Sequence, residues 1–265
     1  MKSIIELFET AVGKYPNNIY LWEKRNGEYE GTTYKETREQ VLKLAAGLVS
    51  LGMKKGDRCG LLSDGRNDWI ISELAVLYAG GTNIPLSIRL QENELIFRLK
   101  HSGSRFIFVS APYITKVEAI RKSLPNLEKV IYIDGKEKPG NKDIIYRHLI
   151  EAGEEYLKTH QMEVEATWKN IKPDDLANIS YTSGTTADPK GIMLSHLNYA
   201  ANVVQSNTLM ELQSDWRTLA VLPWDHAFAH TCCLYAFMYK GASIASVEVG
   251  KTPLETLKNI PQNIK

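Results

Sequence analysis

Apolar positions along this chain alternate between a two-residue and a 3.6-residue period. Near the start, residues 19–22 and 28–32 make two strand-like runs on either side of Asn26-Gly27, a dipeptide that favours a two-residue hairpin turn. Thr33 and Glu36 then have capping-box spacing. Val41, Leu44, Ala45 and Leu48 follow on one helical face, and Gly52 ends that helix. A buried-strand run at 58–63 comes next. Ile70, Leu74, Leu77 and Tyr78 predict a second helix, closed by Gly80-Gly81, and 83–86 predicts another short strand. The rhythm continues with a helix from Glu92, a strand at 105–109, a helix from Tyr113 and a strand at 129–133. This alternation predicts an α/β fold of largely parallel sheets with flanking helices.

Residues 134–175 break the rhythm. They hold Gly135, Pro139, Gly140 and many charges, with one helix predicted over 144–157, and they read as a surface excursion. Two apolar flanks follow, Leu176, Ala177 and Ile179 on one side and Ile192, Met193 and Leu194 on the other. They predict two buried strands joined by a tight loop. A helix at 197–209, a strand at 218–222, a helix at 228–239, a strand at 242–247 and a helix from Pro253 complete the pattern. The expected organisation is a first α/β portion at 1–133, the excursion at 134–175 and a loop-bearing portion at 176–265.

The loop carries the chemistry. It reads Tyr181-Thr182-Ser183-Gly184-Thr185-Thr186-Ala187-Asp188-Pro189-Lys190-Gly191. Small side chains let backbone N–H groups turn inward, hydroxyls add donors, and Lys190 adds a full positive charge. Such a loop suits a polyphosphate. A plain turn has no need of four hydroxyls and a lysine. The spacing is not that of a Walker A loop, because Pro189 stands five places after Gly184 and Lys190 precedes its glycine.

Composition narrows the alternatives. A formal net charge of +1 on 265 residues gives no field for nucleic acid or an anionic membrane. No apolar run approaches the ~20 residues of a membrane span, which leaves room only for peripheral membrane contact. Three cysteines cannot build a disulfide framework, so a cytoplasmic setting is expected. His226, His230, Cys232 and Cys233 fall within eight residues. Vicinal cysteines point apart and no second ligand pair has zinc spacing, so no resident metal is expected. No Gly-x-Ser-x-Gly elbow and no basic stripe with interleaved aromatics is present.

The loop string resembles the phosphate loop of the adenylate-forming (ANL) superfamily. Three more blocks are similar to that family's landmarks in the same order: Thr33-Tyr34-Lys35-Glu36, Ala79-Gly80-Gly81-Thr82-Asn83-Ile84-Pro85-Leu86 and Leu222-Pro223-Trp224-Asp225-His226-Ala227-Phe228. Together they look like the N-terminal portion of an acyl-CoA synthetase, nearest the long-chain fatty-acid branch. Two positions depart from the family pattern: Ala187 stands where glycine is usual and Ala229 where glutamate is usual. The later blocks of such enzymes do not occur after Phe228, so the chain is expected to be an incomplete fragment, inactive alone, that lacks the C-terminal domain.

The resemblance implies activation of a carboxylic acid, a fatty acid first, to acyl-adenylate and then acyl-CoA. ATP, Mg2+ and coenzyme A are the implied cofactors and cosubstrates, and the missing C-terminal half the implied partner. Thr182, Ser183, Gly184, Thr185, Thr186 and Lys190 would bind phosphate. Lys190 and His226 would act in catalysis, and Trp224, His226 and Phe228 would line the acyl pocket. For His226 the residues alone allow a second role, capping a helix start. Two other functions stay open: an amino-acid or aryl-acid adenylation domain, and a non-catalytic nucleotide-binding module.

Overall fold

The protein is described from a computed structural model covering residues 1–135, 139–140, 142–182, 188–250 and 253–263. It begins with a helix outside the expected elements, α1 (Ile4–Lys14). Ser3 caps it by accepting from the Glu6 N–H, and Ile4, Leu7, Phe8 and Ala11 form its buried stripe. The expected hairpin follows as β1 (Ile19–Arg25) and β2 (Glu28–Thr33). Asn26 and Gly27 take φ of 51° and 88°, the left-handed pair that a tight hairpin turn requires. The capping box opens α2 (Tyr34–Ser50): Glu36 accepts from the Thr33 N–H at 2.8 Å, and Thr33 Oγ1 accepts from the Glu36 N–H at 3.2 Å.

The middle of the chain runs β3 (Arg58–Leu62), α3 (Asn67–Tyr78), β4 (Thr82–Pro85), α4 (Glu92–Ser102), β5 (Phe106–Val109), α5 (Ile114–Ile120) and β6 (Lys129–Tyr132). Then come β7 (Ile144–Ile145), α6 (Tyr146–Lys169), β8 (Leu176–Thr182), β9 (Lys190–Ser195), α7 (His196–Leu209) and β10 (Arg217–Ala220). The chain continues through α8 (Ala227–Ala229), a π-helical turn (His230–Tyr235), α9 (Ala236–Lys240), β11 (Ser243–Ser246) and α10 (Pro253–Asn263).

These elements form two units. One comprises Met1–Glu39, Asp64–Ile71 and His196–Lys265. Its four-stranded sheet has the order β10-β11-β1-β2, parallel except for the hairpin. Tyr20 and Tyr34 stack at its centre, 4.6 Å between centroids, and the Tyr34 hydroxyl donates to the Ala242 carbonyl at 2.7 Å.

The second unit comprises Gln40–Ser63 and Ser72–Ser195. Its seven-stranded sheet runs β7-β6-β5-β3-β4-β8-β9, parallel except for the final β8–β9 pair. Nearly every residue of β3, β4, β5 and β6 is buried, as in a parallel sheet covered on both faces. Helices α2 and α6 of this unit approach backbone to backbone. A Cβ on Gly153 would lie 1.8 Å from the Lys43 carbonyl oxygen and 2.6 Å from the Gly47 nitrogen.

Three expectations need correction. Ile144 and Ile145 form a strand beside β6 rather than a helix start, and the helix then runs on to Lys169 across an irregular turn at His160. Tyr146, Leu149, Gly153 and Val164 bury its inner side, while ion pairs such as Lys169–Glu165 lie on its outer side. The strand after the loop is not buried: β9 ends the sheet, and Met193 is 65% exposed. The helix expected over 228–239 is interrupted by the wide π turn at His230–Tyr235.

Candidate functional site

Two of the phosphate-binding candidates lie at the end of the β8–β9 pair. Thr182 and Lys190 are register partners at its mouth, both exposed. A cross-strand pair of this kind puts the two side chains on one face, the hydroxyl beside the cation. Among the described residues no carboxylate or carbonyl engages the Lys190 ammonium. Ser183, Gly184, Thr185 and Thr186, with the departure at Ala187, lie outside the described residues.

The seam that carries β8 is polar and buried, which residue patterning did not anticipate. Asn83 on β4 and Asn178 on β8 are register partners, and both are almost fully buried. The Asn83 amide donates to Glu73 Oε1 at 2.9 Å, and Ser180 Oγ donates to Asn178 Oδ1 at 2.8 Å. Thr82 Oγ1 donates to the Leu176 carbonyl at 3.1 Å. Buried polar groups bonded in this way fix register more sharply than apolar contacts, since a slip leaves them unsatisfied. The signal was present in Thr82 and Asn83, two polar residues that open the apolar run Ile84-Pro85-Leu86.

The second group of candidates lies in the first unit, at the entry to α8. Trp224 is buried, donates its indole N–H to the Ala220 carbonyl at 3.3 Å and meets Trp69 edge-on at 5.8 Å. Gly65 touches it so closely that a Cβ would come within 2.5 Å of the indole nitrogen. Trp224 is thus a packed core residue here, whereas Phe228 is 58% exposed. His226 is exposed and caps the turn, its Nδ1 accepting from the Phe228 N–H at 3.2 Å. An accepting Nδ1 assigns the proton of the neutral ring to Nε2, which remains a donor.

His226 and His230 share helical spacing but not a role. His230 is fully buried, its Nδ1 3.2 Å from the His226 carbonyl and its ring 5.3 Å from Trp69 and 5.7 Å from Tyr199. Burial pushes the Cys232 and Cys233 thiols above their ordinary value, which disfavours the thiolate that binds metal. Among the described residues no group of three or more His, Cys, Asp or Glu is arranged to hold a metal ion. A cleft of about 430 Å³ in the first unit is lined by Lys14, Tyr15, Asn207 and Lys240, and includes none of the candidate residues. Among the described residues no helix is long and apolar enough to cross a membrane.

Comparison with known proteins adds to this geometry. Residues 8–263 match the sequence profile of the AMP-binding enzyme family. The chain is 34% identical over 207 residues to long chain acyl-CoA synthetase 5 of Arabidopsis thaliana, covering 74% of this chain and 30% of that protein. It is 26% identical over 246 residues to a chloroplastic long-chain-fatty-acid–acyl-carrier-protein ligase of the same plant, covering 89% of this chain and 34% of the relative. The chain therefore spans about a third of the length of these curated relatives. An anthranilate CoA ligase solved with anthranoyl-AMP superposes with a TM-score of 0.81 at 20% identity, over 98% of this chain and 48% of that one. A long-chain-fatty-acid-CoA ligase from Archaeoglobus fulgidus gives 0.80 at 21% identity, over 99% and 50%. At these identities the structural likeness shows the fold.

Proposed function

The chain belongs to the AMP-binding enzyme family, and from that membership we propose that it is the N-terminal portion of an ATP-dependent acid–thiol ligase acting on a fatty acid. The observation that carries this reading is the pairing of Thr182 with Lys190 at the mouth of a hairpin, hydroxyl and ammonium on one face. That face presents donors and charge to a triphosphate. The long-chain acyl-CoA synthetase among the relatives favours a fatty acid over an amino or aryl acid.

The reaction has two steps. A carboxylate oxygen attacks the α-phosphorus of ATP, the bond to the β-phosphate oxygen breaks, and pyrophosphate leaves with its charge. A thiolate then attacks the acyl carbon and displaces AMP. Such chemistry depends on positioning and charge neutralisation more than on covalent help from protein. In this reading Thr182, Ser183, Thr185 and Thr186 donate to phosphate oxygens, Gly184 allows close backbone approach, and Lys190 neutralises charge. His226 uses its Nε2–H on a carboxylate or phosphate oxygen, with Phe228 beside it at the acyl group and Trp224 supporting from beneath. In this reading Mg2+ accompanies ATP and offsets the charge of its phosphates.

The acceptor thiol has two candidates. Coenzyme A is the first; the acyl-carrier-protein ligase among the relatives supports a carrier-protein thiol as the second. Mass spectrometry of the natural gene product with ATP, Mg2+ and a saturated long-chain acid tests the reading. Acyl-AMP is expected without a thiol, and a thioester once coenzyme A or a phosphopantetheinyl carrier protein is added. Absence of acyl-AMP with fatty, aryl and amino acids alike would favour a non-catalytic nucleotide-binding module.

A further inference from the structure

Tyr181, the first residue of the loop string, is gripped from two sides within its unit. Its hydroxyl lies 2.8 Å from His101 Nδ1 and 3.4 Å from the Arg98 carbonyl oxygen. The His101 ring meets the phenol edge to face at 5.7 Å and stacks on Phe97 at 5.4 Å. The Arg98 guanidinium lies 5.8 Å from the phenol centroid. Arg98 is buried, and its Nη1 donates to the Glu94 carbonyl at 3.2 Å. From the neighbouring strand comes Gly191, the register partner of Tyr181. A Cβ there would stand 3.0 Å from Ile179 and 3.4 Å from the phenol ring, so glycine gives the ring its room.

This arrangement exceeds what packing requires. An apolar ring would fill the same space without a buried guanidinium, whose desolvation is costly. The phenol has one hydrogen, and the 2.8 Å contact to His101 is the one with good hydrogen-bond length. Burial holds the phenol above its ordinary value, so it keeps its proton, and the His101 tautomer sets which of the two atoms donates. Successive strand residues face opposite ways, so Tyr181 is held on the face away from Thr182. The next register pair outward is Thr182 with Lys190.

We infer that His101 and Arg98 are positioning residues: through Tyr181, α4 sets the hairpin stem from which Thr182 and Lys190 meet phosphate. The inference rests on the proposed ATP-dependent reaction. None of the three side chains needs to touch nucleotide for it to hold.

The test measures steady-state kinetics of the natural gene product and of Tyr181→Phe, His101→Ala and His101→Asn. Tyr181→Phe keeps the ring and removes the hydroxyl, and the asparagine amide can stand near the Nδ1 position. Tyr181→Phe and His101→Ala should each raise KM for ATP by about fivefold, the worth of one hydrogen bond, with kcat and the carboxylate KM unchanged. The double variant should be no worse than either single one, because both remove the same bond. His101→Asn should recover most of the loss. Unchanged ATP KM in both single variants, or an equal rise for ATP and carboxylate, would overturn the inference while leaving the proposed function intact. No ATP-dependent turnover by the unaltered protein with any acid would overturn both.

Discussion

The centre and the end of the seven-stranded sheet are built on opposite principles. In the centre, β3, β5 and β6 pair in parallel; Leu62, Ile107, Val109, Val130 and Tyr132 join one apolar cluster with Leu95, Leu99, Val117 and Leu124 from the covering helices and loops, while Leu61, Phe106, Phe108 and Ile131 are buried outside it. At the end, β9 is exposed, its strand pair is antiparallel, and glycine, threonine and lysine replace aliphatic side chains at the mouth. The difference teaches where each kind of residue choice comes from. Packing dictates the centre, where volume and shape suffice. At the end, small side chains and donors are poor choices for stability alone, which is what the proposed phosphate-binding role would account for.

Changes at the centre should therefore cost stability and little else. Phe108 is fully buried and meets Tyr146 at 6.0 Å. Phe108→Ala should destabilise by about 4 kcal/mol, read as a shift in the urea midpoint. An unaltered midpoint would mean the surroundings of Phe108 are not close-packed. Next in size is Gly153→Ala, where the new methyl meets the Lys43 carbonyl rather than a movable side chain. It should cost about 3 kcal/mol by forcing α2 and α6 apart.

At the hairpin end the signs reverse. Thr185→Ala combined with Thr186→Ala should leave the urea midpoint in place and weaken ATP binding by at least about tenfold, measured by calorimetry on the natural gene product. Equal affinity in a folded double variant would remove those hydroxyls from the phosphate site.

The smallest effect belongs to the rim of the centre. Arg105, just before β5, holds Glu128, just before β6, through two hydrogen bonds of 2.8 Å. Those hydrogen bonds keep the Glu128 carboxyl below the ordinary glutamate range. A carboxyl lowered in the folded state stabilises above its unfolded value, and the gain is lost as pH falls through the folded value. Glu128→Gln should thus cost less than about 1 kcal/mol at neutral pH, since the pair is partly exposed, and nothing under strongly acidic conditions. Urea midpoints at neutral and acidic pH check both statements.

Legibility in the sequence followed the same division. The centre announced itself through continuous apolar runs between helical stripes, and the Asn26-Gly27 turn and the Thr33 capping box formed as expected. The helix α1 is equally legible in Ser3, Ile4, Leu7 and Phe8, a cap followed by apolar residues at helical spacing. Patterning misjudged β9, because Ile192, Met193 and Leu194 look like core until the strand is known to end the sheet. It also mistook Ile144 and Ile145 for a helix start, since a two-residue strand has no period to show. Of the candidate site, the loop string was plain in the sequence. The clamp on Tyr181 was not, because His101 stands 80 residues earlier and no local spacing links the two.

One measurement tests the central claim most directly: carboxylate-dependent exchange of pyrophosphate into ATP by the natural gene product, with fatty, aryl and amino acids in parallel. Exchange that requires a carboxylate and is strongest with fatty acids is the result expected of a hairpin mouth built for a triphosphate. No exchange with any acid, from protein whose urea midpoint shows it folded, would contradict the account.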